Sequence, residues 1–271
     1  MAGPGRYFRL LAAFARFGLA SEMAFRANFL VKVFVEVLWL GILLAFYQTV
    51  FDKTSLVAGW DRNEYLFFVG CHYALSGTLE TFFLSNCNEF ADLVRSGDLD
   101  FLLLKPIDEQ FLVTCRSIDW STIPNVVVGA AVMAAALWRM PEWHFDPAHA
   151  ALFVAMFLCG LGLAYGFLVL LTAAAVWMVR NQSLYELWWL FSSLMRYPRE
   201  IFQGRIVEQV GWFFSFVIPA MLVISVPADV MVGAFDRPWV VAFTAAATVV
   251  LLVVSRKVFR LALRRYRSAS S

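Results

Sequence analysis

Five stretches of this 271-residue chain are apolar for about as long as a helix needs to cross a lipid bilayer: Val33 to Phe51, Tyr65 to Ser85, Trp120 to Trp138, Ala150 to Val179 and Trp239 to Ser255. A hydrocarbon layer of about 30 Å takes roughly 20 residues of helix. Because lipid offers backbone amides no hydrogen bonds, such runs must close their own ladders as helices. The expected fold class is therefore an all-α polytopic membrane protein, a single transmembrane domain over residues 1–271. Composition agrees, since 61% of residues are apolar and only 15% are charged, too few charges to coat a soluble domain of this size.

The sixth crossing is less plain. Leu184 to Met195 and Val210 to Val226 are apolar, and between them lie Arg196, Pro198, Arg199, Glu200, Arg205 and Glu208. Pro219 falls near the middle of the second run and Pro227 at its end, where proline breaks a helical ladder. Seven full crossings would put the two chain ends on opposite sides, and six would put them on the same side. Positive charge near short loops marks the cytoplasmic side. Arg6, Arg9, Arg16, Arg26 and Lys32 precede the first span, and Arg256, Lys257, Arg260, Arg264, Arg265 and Arg267 follow the last. Both termini therefore belong in the cytoplasm and the count is six. Leu184 to Phe202 becomes the fifth span, and Gly204 to Gly233 an outer re-entrant hairpin broken at Pro219 and Pro227. Arg196, Arg199, Arg205 and Arg237 then fall on the outer side, against the charge rule.

The N-terminal residues 1–26 have no apolar core suited to a cleaved signal, because Arg16 interrupts the run. Phe8, Leu11, Ala15 and Leu19 recur at helical spacing, which predicts an interfacial amphipathic helix. The basic tail, residues 256–271, predicts a second headgroup-facing helix with Arg256, Arg260 and Arg264 spaced four apart. Cys71, Cys87, Cys115 and Cys159 have no C-x-x-C spacing, and His72, His144 and His149 share no ligand spacing, so no metal site is indicated. Neither a phosphate-cradling glycine loop, nor H-E-x-x-H, nor G-x-S-x-G occurs. The chain carries no catalytic constellation of its own, and nucleic acid is not an expected partner.

One polar segment stands apart. Between the second and third spans, residues 86–116 place Asn86 three residues before Glu89, a capping-box spacing. From there Phe90, Leu93 and Val94 share one helical face, and Asn88, Asp92 and Arg95 share the opposite one. Gly97 is a stop signal, Asp98 to Leu104 returns an apolar face, and Pro106 with Asp108 and Glu109 starts another helix. By parity this segment is cytoplasmic. It could lie on lipid, but five acidic residues from Glu89 to Asp108 face only Arg95 and Lys105, a balance unfavourable beside an anionic leaflet. A protein partner suits those charges better.

The run R-S-G-D-L-D-F-L-L-L-K-P, Arg95 to Pro106, resembles the R-x-G-x-(L/F)-x-x-x-L-x-x-P pattern that follows the second of six spans in ABC type 2 permeases, the second exporter family of ATP-binding-cassette transporters. Y-P-R-E-I-F at Tyr197 to Phe202, I-P at Ile218 and Pro219, and V-P-A at Val226 to Ala228 resemble the same family's region between the fifth and sixth spans. In order and spacing these features cover nearly the whole chain. The resemblance implies a permease half that pairs with a second permease subunit, identical or homologous, in a bacterial cytoplasmic (inner) membrane. ATP and Mg would be bound by separate ATPase subunits, with no cofactor in this chain. It further implies that Asn86 to Gly97 is a coupling helix, with Glu89, Phe90, Asp92, Leu93, Arg95, Gly97 and Asp98 as the ATPase-coupling residues. Pro198, Pro219 and Pro227 would shape the hairpin that closes the path from outside.

Four acidic residues, Glu36, Glu80, Asp119 and Glu186, lie one or two turns from the inner ends of spans. Intramembrane charges cost a few kcal/mol and face protein or a polar path. They could form a vestibule for cationic amphiphiles, with Glu80 the best candidate and Trp188 available for stacking. Alternatively, sequence spacing pairs Lys32 with Glu36 and Arg116 with Asp119. A stand-alone secondary transporter or channel is the competing reading, and it predicts internal repeats and polar groups at mid-membrane. A membrane enzyme lacks residues to carry it.

Overall fold

The computed structural model describes residues 4–141, 143–177, 182–202, 207–233 and 238–266, and among these the chain is all-helical. In chain order the helices are α1 (Pro4–Ala24), α2 (Arg26–Phe51), α3 (Arg62–Leu79), α4 (Ser85–Ser96), α5 (Leu99–Leu103), α6 (Glu109–Cys115), α7 (Ile123–Trp138), α8 (Pro147–Ala174), α9 (Gln182–Met195), α10 (Val207–Trp212), α11 (Leu222–Val232) and α12 (Pro238–Arg265). Among the described residues four stretches are long and apolar enough to cross a membrane: α2, α7 with the 3-10 turn that starts it at Trp120, α8 and α12. Helix α3 has 18 residues and starts at a capping box. Asp61 accepts from the Asn63 and Glu64 amides while the Glu64 carboxylate accepts from the Asp61 amide.

Helix α3 is the central rod. It crosses α7 at glycines, where an added Cβ on Gly70 would meet the Gly129 carbonyl at 2.8 Å and one on Gly129 would meet the Ala74 amide at 2.4 Å. Without side chains the backbones touch directly, the usual route to tight helix pairing in lipid. On its other side α3 meets α8 and α11. Phe67, Phe68, Leu75, Leu79, Leu163, Ala164, Leu168 and Val223 form the main core there. Helix α12 packs along α8, with Gly162 against Thr248 and Gly166 against Leu251.

The region after α9 corrects the sequence reading. A single helix from Leu184 to Phe202 is not formed, because α9 ends at Met195 and a separate 3-10 turn covers Arg199–Phe202. Pro198 supplies the reason, since the residue before a proline disfavours the α conformation. Pro219 breaks the chain as expected. A π-helical turn, Phe213–Val217, ends in Ile218 with extended angles of −115° and 91°. Pro227, in contrast, does not end its run but sits inside α11. Helix α11 is buried along almost its whole length and begins at the middle of α8, where Val223 meets Gly160. Gly204, Arg205 and Arg237 lie outside the described residues, as do residues 1–3, 178–181 and 267–271.

Helices α1 and α2 flank this bundle, and on α2 only Leu40 is buried. Helix α1 reaches the start of the Trp120 turn. The Trp120 indole donates to the Ala15 carbonyl at 2.9 Å, and the Tyr7 ring meets Phe111 edge-on at 5.0 Å. Helix α12 runs without a break through Arg265, so the expected separate tail helix is, as far as described, the last turns of the final span. Its Phe259 packs on Phe90. Both terminal helices thus meet the polar segment between α3 and α7.

Candidate functional site

The polar segment between α3 and α7 folds as three short helices against the C-terminal ends of α8 and α12. Helix α4 is not a fresh start. It continues α3 through a π-helical turn, Glu80–Leu84, and Leu84 is itself helical with no side-chain cap. The expected capping box at Asn86 is therefore absent, because no helix end exists there to cap. Asn86 is fully buried and binds Ser117 instead, accepting from its amide at 2.9 Å and its hydroxyl at 2.8 Å while donating to its carbonyl at 2.8 Å. This fastens the root of α4 to the link between α6 and α7.

Gly97 closes α4 in the left-handed conformation, φ 80°, where a side chain costs about 1–2 kcal/mol. The reversal lays α5 beside α4. Phe90, Ala91 and Leu99 are buried with Val113 of α6, Val169 and Ala173 of α8, and Phe259 and Ala262 of α12. Phe90 is thus an internal packing residue, and Leu93 is half-buried beside it. Glu89, Asp92, Arg95 and Asp98 are exposed, as their helical face predicts. Their charges are already committed within the chain. Glu89 pairs with Arg116, Asp92 with Arg95 at 2.5 Å, and Asp98 accepts from the Ser96 hydroxyl at 2.7 Å.

Two exposed apolar residues lie beyond the expected coupling set. Phe101 is 69% and Leu104 81% exposed, both on or just after α5. The signal is in the sequence, since a five-residue helix can bury only one face while L-D-F-L-L with the following Leu104 places five apolar side chains around it.

Behind α5 the segment is locked to two long helices. Asp108 caps α6, accepting from the Phe111 amide at 3.0 Å, and its carboxylate takes both guanidinium nitrogens of Arg256 on α12. Arg256 also donates to Gln110 at 3.0 Å. Gln110 in turn donates to the Tyr165 hydroxyl of α8 at 2.9 Å, and that hydroxyl lies 3.2 Å from Thr114. Arg256 therefore turns inward rather than toward headgroups. Burial pushes the Asp108 carboxyl up, but the hydrogen bonds from Arg256 and the Phe111 amide outweigh it and hold the group below the usual carboxylate range. A depressed folded value means the stabilisation is complete above the unfolded value, about 3.9, and is lost as pH falls through the folded one. Arg256→Gln should cost about 1–3 kcal/mol near neutral pH, toward the low end because the two side chains are 26% and 30% exposed. Thermal unfolding of the two proteins in detergent at pH 7 and pH 3 checks this, with a gap that narrows at the lower pH.

The acidic residues of the spans divide. Asn125 of α7 donates to Glu36 of α2 at 3.2 Å and also neighbours Glu80 at the start of the π turn. Glu36 and Glu80 therefore converge on one amide. Lys32 lies 3.9 Å from Asp119, not beside Glu36, and Arg116 is taken by Glu89, so both sequence-local pairings are replaced by contacts between helices. Glu186 is exposed on α9, and Trp188 is buried with its ring stacked on Phe191 at 5.7 Å. Pro198 is buried beside the 3-10 turn. Among the described residues no group of three His, Cys, Asp or Glu could hold a metal ion.

A family model described as ABC-2 family transporter protein matches residues 37–270. Comparison with curated proteins and with solved structures returns no match. The matched range runs from the second half of α2 to the end of the chain and includes the polar segment and all of the α3, α8 and α11 core.

Proposed function

We propose, since the chain belongs to the ABC-2 family of transporter proteins, that it is one permease half of an ATP-driven exporter, moved by separate ATPase subunits that dock on α5 and the adjoining end of α4. Membership makes it the membrane component of an ABC transporter rather than the ATPase. The carrying observation is the exposed pair Phe101 and Leu104, set on a segment whose other face is fixed to α8 and α12. A partner that pushed on this pair would load Leu99 and Phe90, and through them Phe259. The Asp108 to Arg256 lock and the Gln110 to Tyr165 bond would carry the same displacement to α12 and α8. Glu89, Asp92, Arg95 and Asp98 then form the polar rim of the contact.

In the bilayer of a bacterial inner membrane, six spans with both termini cytoplasmic fit this arrangement. Helix α3 with its π turn forms the second span, and α9 with the Arg199–Phe202 turn the fifth. Helices α10 and α11 form a hairpin that dips to the middle of α8 and returns. Its backbone break at Ile218 and Pro219 is half-buried, between the buried Ser215 and the buried start of α11, which suits non-helical backbone at that depth. A second permease subunit, the same chain or a homologue, completes the translocation path.

The paired carboxylates Glu36 and Glu80 support a cationic amphiphile as substrate. In proteoliposomes holding the permease with its co-expressed ATPase, uptake of a lipophilic cation should require ATP, stop with orthovanadate, and fall severalfold in Glu80→Gln. Transport by the purified chain alone, indifferent to orthovanadate, would instead identify a secondary transporter or channel. An ATP-driven but unchanged Glu80→Gln would remove these carboxylates from the path.

A further inference from the structure

We infer, on the reading of Glu36 and Glu80 as the cation's partners, that the substrate carries an acidic group as well as its cation and that Arg196 holds the acid. Helix α3 has three faces, and two are covered. Gly70 and Gly77 meet α7, and Leu75 meets Gly160 of α8. His72, Tyr73, Ser76 and Glu80 recur at helical spacing on the third.

Helix α2, packed beside α7, borders this face through Tyr47, whose ring lies 4.7 Å from that of Tyr65. Helix α9, packed beside α8 and α11, borders it through Arg196 and Tyr197, which directly follow its last residue. Between the two borders the face is not sealed. Tyr73, Glu80 and Glu36 are half-buried, and Arg196 and Tyr197 are exposed. Tyr73 stands at the centre, with Arg196, Glu36, Tyr47 and Glu80 all in its electrostatic neighbourhood. Arg196 also neighbours His72, and Glu80 lies about two turns, or about 12 Å, farther along α3.

Two donors of this cleft are unused. Among the described residues the Tyr73 hydroxyl and the Arg196 guanidinium make no hydrogen bond, and no carboxylate pairs with Arg196. Its nearest acid in the sequence, Glu200, is taken by Arg199 at 2.7 Å and by the Trp60 indole at 3.4 Å. A guanidinium keeps its charge and offers only donors, and at membrane depth it is expected to face a partner or a polar path. Glu36 and Glu80 likewise pair with no cation among the described residues. A ligand with a cation alone would meet the like charge of Arg196, and one with an acid alone would meet those of Glu36 and Glu80. An amphiphile bearing both signs satisfies all three, with the Tyr73 hydroxyl as a further donor between them.

Equilibrium binding of two dyes to the purified full-length chain in nanodiscs, read by fluorescence anisotropy and corrected with empty nanodiscs, tests this without the ATPase. Tetramethylrhodamine methyl ester is a lipophilic cation, and tetramethylrhodamine is the same cation with a free carboxylate. The acid should bind at least ~tenfold more tightly than the ester. Arg196→Gln should bring the acid to the level of the ester without weakening the ester, Arg196→Lys should restore part of the preference, and Glu80→Gln should weaken both dyes. Equal or tighter binding of the ester by the wild-type chain would overturn the inference, the result expected if Arg196 pairs with a carboxylate of a second copy. An unchanged preference in a folded Arg196→Gln would also overturn it. In both cases an ester still weakened by Glu80→Gln leaves the reading of the carboxylates standing. A preference for the acid with neither dye weakened in Glu80→Gln makes the ligand a simple anion, and then that reading fails together with the inference. Binding of neither dye rejects the inference outright. The wild-type comparison needs no variant.

Discussion

Phe101→Asp combined with Leu104→Asp releases the ATPase from the purified complex, while the permease itself remains folded and in the membrane. The two side chains are 69% and 81% exposed, so their removal costs the isolated chain almost nothing. In the proposed complex they are the apolar anchors. Truncating such an anchor at an interface centre typically costs 2 kcal/mol or more, about a thirtyfold loss of affinity for each, and a buried aspartate adds a desolvation penalty. The charged face of α4 should matter less. Asp92 and Arg95 satisfy one another on the surface, and exposed pairs of this kind are worth about 0–1 kcal/mol. Charge reversal of both together should therefore weaken capture only severalfold. Quantifying ATPase recovered per permease, with tagged permease and co-expressed ATPase, separates the two outcomes. A larger loss from the α4 charges than from α5 would return the docking face to α4.

Gly160→Ala should be the most damaging single methyl in the fold. Pro227 has no amide hydrogen, so the carbonyl of Val223, four residues earlier, loses its usual partner within α11. That carbonyl points at Gly160, where an added Cβ would lie 2.2 Å from its oxygen. Such a gap is far inside contact distance and the opposing atom is backbone, so α11 must move away from α8. The displaced surface includes Leu222, Val223 and Val226, all buried. A loss of about 2–4 kcal/mol is expected, in the range of severe overpacking, with a correspondingly lower melting temperature in detergent. Gly41, which has nothing within 4 Å of its Cβ position, serves as the control. If Gly160→Ala melted within a degree of Gly41→Ala, the close contact of α8 and α11 would be refuted.

What could be read from the sequence follows from which interactions are local. Trp120 to Trp138 is recovered to the residue, because an apolar run against polar flanks marks its own ends. Gly97 also acts where its neighbours predict, ending α4, whereas the helix expected to open at Pro106 starts only at Glu109, with Asp108 as its cap. Asn86 misled because its spacing to Glu89 fits a capping box, yet the apolar run before it carries the helix straight through. Pro227 misled for the same reason. Tertiary packing around α11 tolerates a lost hydrogen bond that would break an isolated helix. The ion pairs were illegible in principle, since Asp108 and Arg256 stand 148 positions apart and nothing local joins them. Local spacing offered Lys32 to Glu36 and Arg116 to Asp119 instead, and the fold chose Lys32 to Asp119 and Arg116 to Glu89. The proposed docking pair lies one element beyond the expected coupling residues for a related reason: the charge pattern points to α4, while the exposure of Phe101 and Leu104 depends on which face of α5 the core covers.

The most direct test places a photo-crosslinking amino acid at Leu104, and separately at Glu64 at the opposite end of α3, in permease co-expressed with its ATPase. A covalent permease–ATPase adduct is expected from position 104 and none from position 64. An ATPase that co-purifies in full but crosslinks only from sites outside α4 and α5 would contradict this docking.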